Sequence, residues 1–534
     1  MNTFDWKAGY PSRRSPLFAR NIVSTSHPLA AQAGLRVLQS GGNAVDAAIT
    51  AAACMTLVEP CSNGLGSDAF CILWDGRQLH GLNASGPAPA AWTPAFFQGQ
   101  VMPKRGWGSV TVPGAVGGWM ALSERFGKLP FADLMQPAIE IAERGYAVPP
   151  IVQGKWAMAA GLSEITSQPG FAQAFLPHGR APAVGELFRF SDAARSLKLI
   201  AESKGEAFYR GEIAAALARF ARETGGALTE ADLAAYRPEW VTPLAKDFAG
   251  HTLHEIPPNG QGIAAQMALG LLEHWDVSAH AVDGPEAQHL MIEAMKLAFA
   301  DVYRYVAEPG AMPVSAAQLL DPGYLALRAK LIDPRRAQVF GAGNPIKGGT
   351  IYLTAADESG MMVSFIQSNY MGFGSGLVLP SYGVSLQNRG HCFTLEAGHP
   401  NQVAPGKRPF HTIIPAFLTQ GGAPVMSFGV MGGNMQPQGH LQTLVRMLSY
   451  GQNPQAACDA PRWRVNEGLS INVEPHMPAA TIEALRARGH EIGDIHDSYQ
   501  DFGAGQFIWR LGDPGVEGHV AASDPRRDGA AVGW

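Results

Sequence analysis

Gly348-Gly349-Thr350-Ile351-Tyr352-Leu353 places a hydroxyl residue directly after two glycines and at the head of a β-branched run. Cleavage of the Gly349–Thr350 bond would make Thr350 a chain terminus. A threonine hydroxyl is a weak nucleophile near neutral pH, and a free α-amino group on the same residue can take its proton. One cut would therefore create nucleophile and base together. A second reading stays open at this point, because a threonine that opens a β-branched segment is also an ordinary strand residue.

Such a site has to be positioned by regular elements, and the chain contains them. Ala30 to Gln39 has a helical apolar pattern that stops at Gly41-Gly42, and Asn43 can cap a following helix from Ala44 to about Leu57, with Asp46 favouring its dipole. Phe70 to Trp74 predicts a buried strand, with Asp75-Gly76 as a turn. Phe131 to Arg144 and Ala193 to Lys204 are amphipathic, and helices are expected over Ile263–His274 and Pro285–Tyr305. Pro334, Gly341, Gly343 and Pro345 break regular structure ahead of the proposed cut and predict a mobile approach to it. Beyond Thr350 the pattern turns to short strands, Thr350–Ala355, Met361–Ile366, Val384–Leu386, Thr412–Leu418 and Val425–Phe428, with Ser359-Gly360 as a hairpin turn. A helix from Pro437 to Tyr450 and strands near Ile471 and Phe507 complete the segment.

Composition narrows the function. With 46% hydrophobic and 16% charged residues in 534, the chain has a large core and too little charge for disorder. A formal net charge of −5 gives no basic footprint for nucleic acid or anionic lipid, which leaves small molecules as the expected partners. The first twenty residues lack an apolar core of signal-peptide length, and the Ala-rich run after Asn43 is too short to span a bilayer, so a cytoplasmic location without membrane attachment is expected. Five cysteines, Cys54, Cys61, Cys71, Cys392 and Cys458, contain no CxxC pair and are expected as buried thiols. Gly343 to Thr350 imitates a phosphate loop but has Gly349 where lysine is needed, and H-E-x-x-H and G-x-S-x-G are missing, so no metal and no cofactor are expected.

Nine motifs then follow in a recognisable order. They are His27-Pro28-Leu29-Ala30, Gly41 to Ala48, Ser62-Asn63-Gly64-Leu65-Gly66-Ser67-Asp68, Val112 to Trp119, Glu293 to Asp301, Pro405-Gly406-Lys407-Arg408-Pro409, Gly432-Gly433, Asp459 to Trp463, and Ser523-Asp524-Pro525-Arg526-Arg527. From His27 to Trp534 the chain resembles the γ-glutamyltransferase family of N-terminal-nucleophile hydrolases. The resemblance implies an α+β fold, a four-layer αββα sandwich with a helix-rich large segment. It also implies one globular unit made from residues 1–349 and 350–534 after self-cleavage. Thr350 would be the nucleophile, and the backbone N–H groups of Gly432 and Gly433 would stabilise the oxyanion. The glycine pair is equally suited to a strand-to-helix turn. Asn369 aligns with a substrate-contacting asparagine, with a one-residue ambiguity. Gln367 falls where relatives carry a threonine that hydrogen-bonds the nucleophile.

The departures from that pattern bear on the substrate. Asn83 stands where relatives hold the glutamyl α-carboxylate with arginine, Cys392 where they bind the α-amino group with an acid, and His411-Thr412 where they carry paired serines. Arg389 is new beside them. Arg389 could anchor a lone carboxylate with His411 donating to it, or it could form a structural ion pair. The variant pattern resembles the branch that includes oxamate amidohydrolase. The link from Phe393 to Pro409 is shorter than in lidded relatives, which favours water as acceptor. Three functions are carried forward: hydrolysis of a small carboxylate-bearing amide, true γ-glutamyl hydrolysis or transfer, and an inactive binding relative. The number of copies in the assembly is left open.

Overall fold

Period-two alternation from Thr350 onward builds the centre of the molecule. The computed structural model describes residues 14–340, 349–496 and 499–534, so the expected mobile approach at 341–348 lies outside the described residues. Gly349–Ala356 is a strand whose Ile351, Leu353 and Ala355 pack on a helical layer, while Tyr352 and Ala356 pack into the space between two sheets. Polar residues zip the two sheets together, with Thr354 Oγ1 to Ser427 Oγ at 2.6 Å and Ser364 Oγ donating to Phe428 O at 3.2 Å.

Both sheets are antiparallel. The first runs Ala530–Gly533, Ile22–Thr25, Gly349–Ala356, Met362–Tyr370, Asp68–Trp74, Leu79–Ala84, Glu239–Val241. The second runs Leu17–Ala19, His519–Ser523, Ala504–Arg510, Ala423–Met431, Ala416–Gln420, His251–Glu255, Leu244–Phe248. Each takes strands from both sides of the Gly349–Thr350 bond. Phe70, Ile72, Ile366, Phe417 and Ile508 fill the space between them.

Helices cover both outer faces, which completes the αββα order. Ala44–Val58 lies on the first sheet with every residue buried, and Asn43 and Asp46 close a reciprocal cap at its start, each side chain accepting the other's amide at 3.0 Å. Ile263–Leu272, Pro285–Tyr305 and Met435–Leu444 cover the second sheet against Phe428, Val430 and Phe507. The strand expected at Thr412 begins only at Ala416. Residues 411–414 spend their backbone groups on other partners: His411 N donates to Asn259 O, its carbonyl accepts from Gln261 N, and Ile414 N donates to Gln436 Oε1. No described helix is long and apolar enough to cross a membrane.

Candidate active site

Thr350 sits at the end of the inter-sheet space with 1% exposure. The pairing with Met362–Tyr370 slips between Gly349 and Ile351, which frees the first turn of the strand from regular register. Two neutral side chains meet the hydroxyl: Ser368 Oγ lies 3.3 Å from Thr350 Oγ1, and Gln436 Nε2 donates to it at 3.3 Å. Gln436 can reach because it occupies the first turn of the Met435–Leu444 helix, immediately after Gly432-Gly433.

That glycine pair ends the Ala423–Met431 strand at φ +127° and +61°, a region L side chains avoid. A Cβ on Gly432 would lie 3.1 Å from Gly503 Cα and 3.2 Å from Met435 Cβ. Gln261 straps the turn from the other side, its Nε2 donating to Gly433 O at 2.9 Å and Thr412 O at 2.6 Å. Among the described residues neither glycine amide donates to a backbone carbonyl. The pair is thus a turn, as one reading expected, whose amides are uncommitted close to a buried hydroxyl.

Arg389 lies beside this turn, fully buried. Its Nη1 donates to Thr412 Oγ1 at 2.8 Å, and its guanidinium stacks 4.5 Å from the Tyr370 ring centroid. Tyr370 has a left-handed φ of 75°, rare for an aromatic residue, where the strand breaks. Arg389 Nε and Nη2 have no hydrogen-bond partner, and the nearest carboxylate, Asp68 Oδ2, is 3.8 Å from Nε. Burial pushes the Asp68 carboxyl up to about 7 against the pull of Arg389. Thr412, Tyr370 and Cys392, which all touch Arg389, also line a cavity of about 140 Å³ together with Tyr303, Phe410 and Asn434.

A hydroxyl with neutral hydrogen-bond partners, a glycine turn with uncommitted amides and an undersaturated buried cation make a site suited to acyl transfer. Comparison with known proteins agrees with that class. Residues 30–534 match the family model described as gamma-glutamyltranspeptidase. The chain belongs to the γ-glutamyltranspeptidase family. It is 34% identical to a glutathione hydrolase-like proenzyme of Bacillus subtilis over 97% of this chain and 99% of that one. It is 35% identical to the oxamate amidohydrolase proenzyme of Klebsiella pneumoniae, again over 97% and 99%. Among solved structures, a cephalosporin acylase from Bacillus halodurans superposes with a TM-score of 0.95 at 46% identity, covering 100% of this chain and 99% of that one. The chain is therefore an enzyme of the N-terminal-nucleophile amidohydrolase class, with the αββα fold of that class.

Within this γ-glutamyltranspeptidase-family site the expected residues divide. Thr350, Gly432, Gly433, Arg389 and Thr412 come together. Asn83 is engaged away from them; its Nδ2 donates to Asn259 Oδ1 at 2.9 Å and its Oδ1 accepts from Ser85. Asn369 accepts from Ser67 Oγ at 2.8 Å, and Gln367 donates to Ala52 O and Asn63 Oδ1. Strand alternation explains both, since Gln367 and Asn369 share the helix-facing side with Val363 and Phe365, whereas Ser368 faces Thr350. His411 Nε2 is bonded to Asp68 Oδ2 at 3.1 Å, and burial holds its ring well below the usual histidine range, hence neutral. It steadies Asp68 and has no N–H left for a ligand.

Sequence reasoning missed Ser368, Gln436, Gln261 and a role for Asp68. Parity along Met362–Tyr370 was the available signal for Ser368, and a polar residue in the first turn after a glycine pair was the signal for Gln436. One further group, His289, Glu293 and His490, has metal-like composition. Its atoms are occupied otherwise: His289 Nδ1 is 2.8 Å from His490 Nε2, its Nε2 meets Asp333 O at 2.8 Å, and Glu293 pairs with Lys296 at 2.7 Å.

Proposed function

We propose that this chain is a proenzyme that cuts itself between Gly349 and Thr350 and then, as fragments 1–349 and 350–534, hydrolyses a small amide whose acyl part carries a lone carboxylate, as in oxamate. Thr350 Oγ attacks the amide carbon while its α-amino group takes the hydroxyl proton. The oxyanion is held by the Gly432 and Gly433 amides. Collapse expels the amine, which takes the proton back from the α-ammonium, and leaves an ester on Thr350. Water then attacks that ester, with the same amino group as base, and the carboxylic acid leaves.

The observation that carries the substrate class is Arg389, a buried guanidinium with two nitrogens unpartnered at the edge of the cavity. A planar carboxylate is the ligand whose geometry satisfies such a fork. An α-ammonium has no comparable partner there, because Cys392 replaces the acid and burial keeps its thiol protonated. The resemblance to the Klebsiella oxamate amidohydrolase supports the same reading, and the glutathione hydrolase-like relative and the acylase neighbour define the alternatives.

Intact-mass spectra of wild type and Thr350→Ala after incubation test the first half. Wild type alone is expected to separate into two fragments with Thr350 as a new N-terminus; two intact chains would leave only the binding-protein reading. A panel of oxamate, γ-glutamyl anilide, simple acyl amides and a cephalosporin amide tests the second half. Turnover of the γ-glutamyl compound alone would overturn the role given to Arg389.

A further inference from the structure

A second buried arginine lies behind the nucleophile. Arg527 is 2% exposed, and its Nη2 donates to the carbonyl oxygen of Thr350 at 3.3 Å. Its Nη1 pairs with Glu59 Oε1 at 2.6 Å, and Glu59, with no exposure, also accepts from Ser26 Oγ at 2.7 Å. Glu59 caps the central Ala44–Val58 helix and belongs to the first fragment, whereas Arg527 belongs to the second. The pair therefore joins a wholly buried helix of the fold to the backbone of the very residue whose hydroxyl reacts. Its neighbour Arg526 is engaged elsewhere, with Glu474 and Asp524.

We infer that Arg527 is a positioning residue for the proposed reaction: it fixes the first residue of the second fragment by its carbonyl and, as a buried cation beside the α-amino nitrogen, keeps that nitrogen in its free-base form at neutral pH. The inference rests on Thr350 being the nucleophile. Backbone dimensions put the Thr350 nitrogen within roughly 7 Å of the guanidinium. A like charge at that range in a desolvated setting disfavours a second cation, and a general base works best when it is unprotonated near the working pH. Glu59 is one group farther away and tempers the effect.

Other charges face the same spot. Lys155, on the Pro150–Ala160 helix, donates to Ser62 Oγ at 3.1 Å; burial and then Arg527 bring its ammonium down to about 7, so it adds positive charge only below that pH. Burial raises the Cys61 thiol and the Asp528 carboxyl, and lowers the His27 ring to about 4, so Cys61 and His27 are uncharged in the working range. Thr350's own contacts, Ser368 and Gln436, carry no charge. Among these described groups the guanidinium bonded to the Thr350 carbonyl is that of Arg527.

The test reads the amine itself. Cleaved wild type, Arg527→Gln, Arg527→Lys and Glu59→Gln are labelled with trace acetic anhydride across pH 5–9, and acetylation at the Thr350 terminus is followed by mass spectrometry, with oxamate hydrolysis measured on the same samples. A variant that no longer cuts itself is supplied divided, by coexpressing residues 1–349 with a chain that starts at Thr350 behind a removable tag. Arg527→Gln is expected to move the amine titration upward by about one pH unit, and Glu59→Gln to move it downward, with the acid limb of hydrolysis following each. Arg527→Lys should stay near wild type. Opposite shifts from the two partners of one ion pair are not produced by loosened packing. Titrations that stay within about 0.3 unit, or that move in the same direction, overturn the inference and leave Thr350 as nucleophile untouched. Absence of any cut in wild type would instead remove the reading on which it rests.

Discussion

Arg389 and Arg462 are equally buried, and they live in opposite electrostatic circumstances. Arg462 gives one nitrogen to Asp524 at 2.9 Å and another to Phe502 O at 2.9 Å, and Asp524 also meets Arg526 at 3.1 Å, which in turn grips Glu474 at 2.6 Å. That network closes around its charges. Asp524 is accordingly held down at about 2, because Arg526 and Arg462 outweigh its burial. Around Arg389 the nearest carboxylate among the described residues stands 3.8 Å away and is itself pushed up to about 7, with two guanidinium nitrogens unpartnered. Burial alone thus says nothing about role. A buried charge whose hydrogen bonds are complete belongs to the scaffold, and one left incomplete is a place where a ligand can complete it.

Substitution separates the two most sharply. Arg389→Met should lower kcat/KM for the carboxylated amide by about 10²–10⁴-fold with little loss of stability, because an incomplete ion pair contributes little to folding. Arg462→Met should instead cost about 3–5 kcal/mol of unfolding free energy by stranding Asp524. Denaturant melts beside steady-state kinetics read both. Equal destabilisation by the two changes would break the comparison.

Titration gives a second contrast, with opposite signs. Asp524 has a folded pKa below its unfolded value, so its contribution, about 2 kcal/mol, is present above roughly pH 4 and is lost as pH falls through 2. Asp68 has a folded pKa above its unfolded value, so its favourable contribution is full below roughly pH 4 and is lost as pH rises through about 7. Melts from pH 2 to 8 should therefore lose their acid slope in Asp524→Asn and their neutral slope in Asp68→Asn. Ionised Asp68 also competes for Arg389, so KM for the carboxylated substrate should rise between pH 6 and 8 in wild type and stay flat in Asp68→Asn.

Two smaller effects sharpen the map around Thr350. Gln436→Ala removes a hydrogen bond to the hydroxyl and should lower kcat by about tenfold with KM nearly unchanged. Asn83→Ala should leave kcat/KM within about twofold and cost about 1 kcal/mol of stability, since its side chain serves Asn259 and Ser85 rather than the cavity. A large rise in KM there would return Asn83 to the substrate.

Much of the fold was legible because its causes are local. Asn43 and Asp46 signalled a capped helix and make one, and the β-branched run after Thr350 became a central strand within a residue of its expected limits. Thr412–Leu418 misled because His411, Thr412 and Ile414 have strand-like neighbours in sequence but give their backbone groups to Asn259, Gln261 and Gln436 from distant segments. The site divided in the same way. Thr350 and the glycine pair stood out only through the family resemblance, since each is by itself an ordinary strand residue or turn, whereas Ser368 rather than Gln367 beside the hydroxyl depends on strand parity, and Gln436 depends on where a helix docks.

Sequence by itself determined which residue types were available: a hydroxyl residue after two glycines, a second pair of glycines, and an arginine between them. These are properties of residue types and of short-range order, so one dimension suffices to state them. Tertiary structure decided which charges are satisfied. Hydrogen-bond completion around Arg389, Arg462 and Arg527 is set by groups dozens to hundreds of residues away, brought together when two sheets close on each other and water is excluded. Only in that desolvated space does an unpartnered nitrogen carry a free-energy cost large enough to define a binding site.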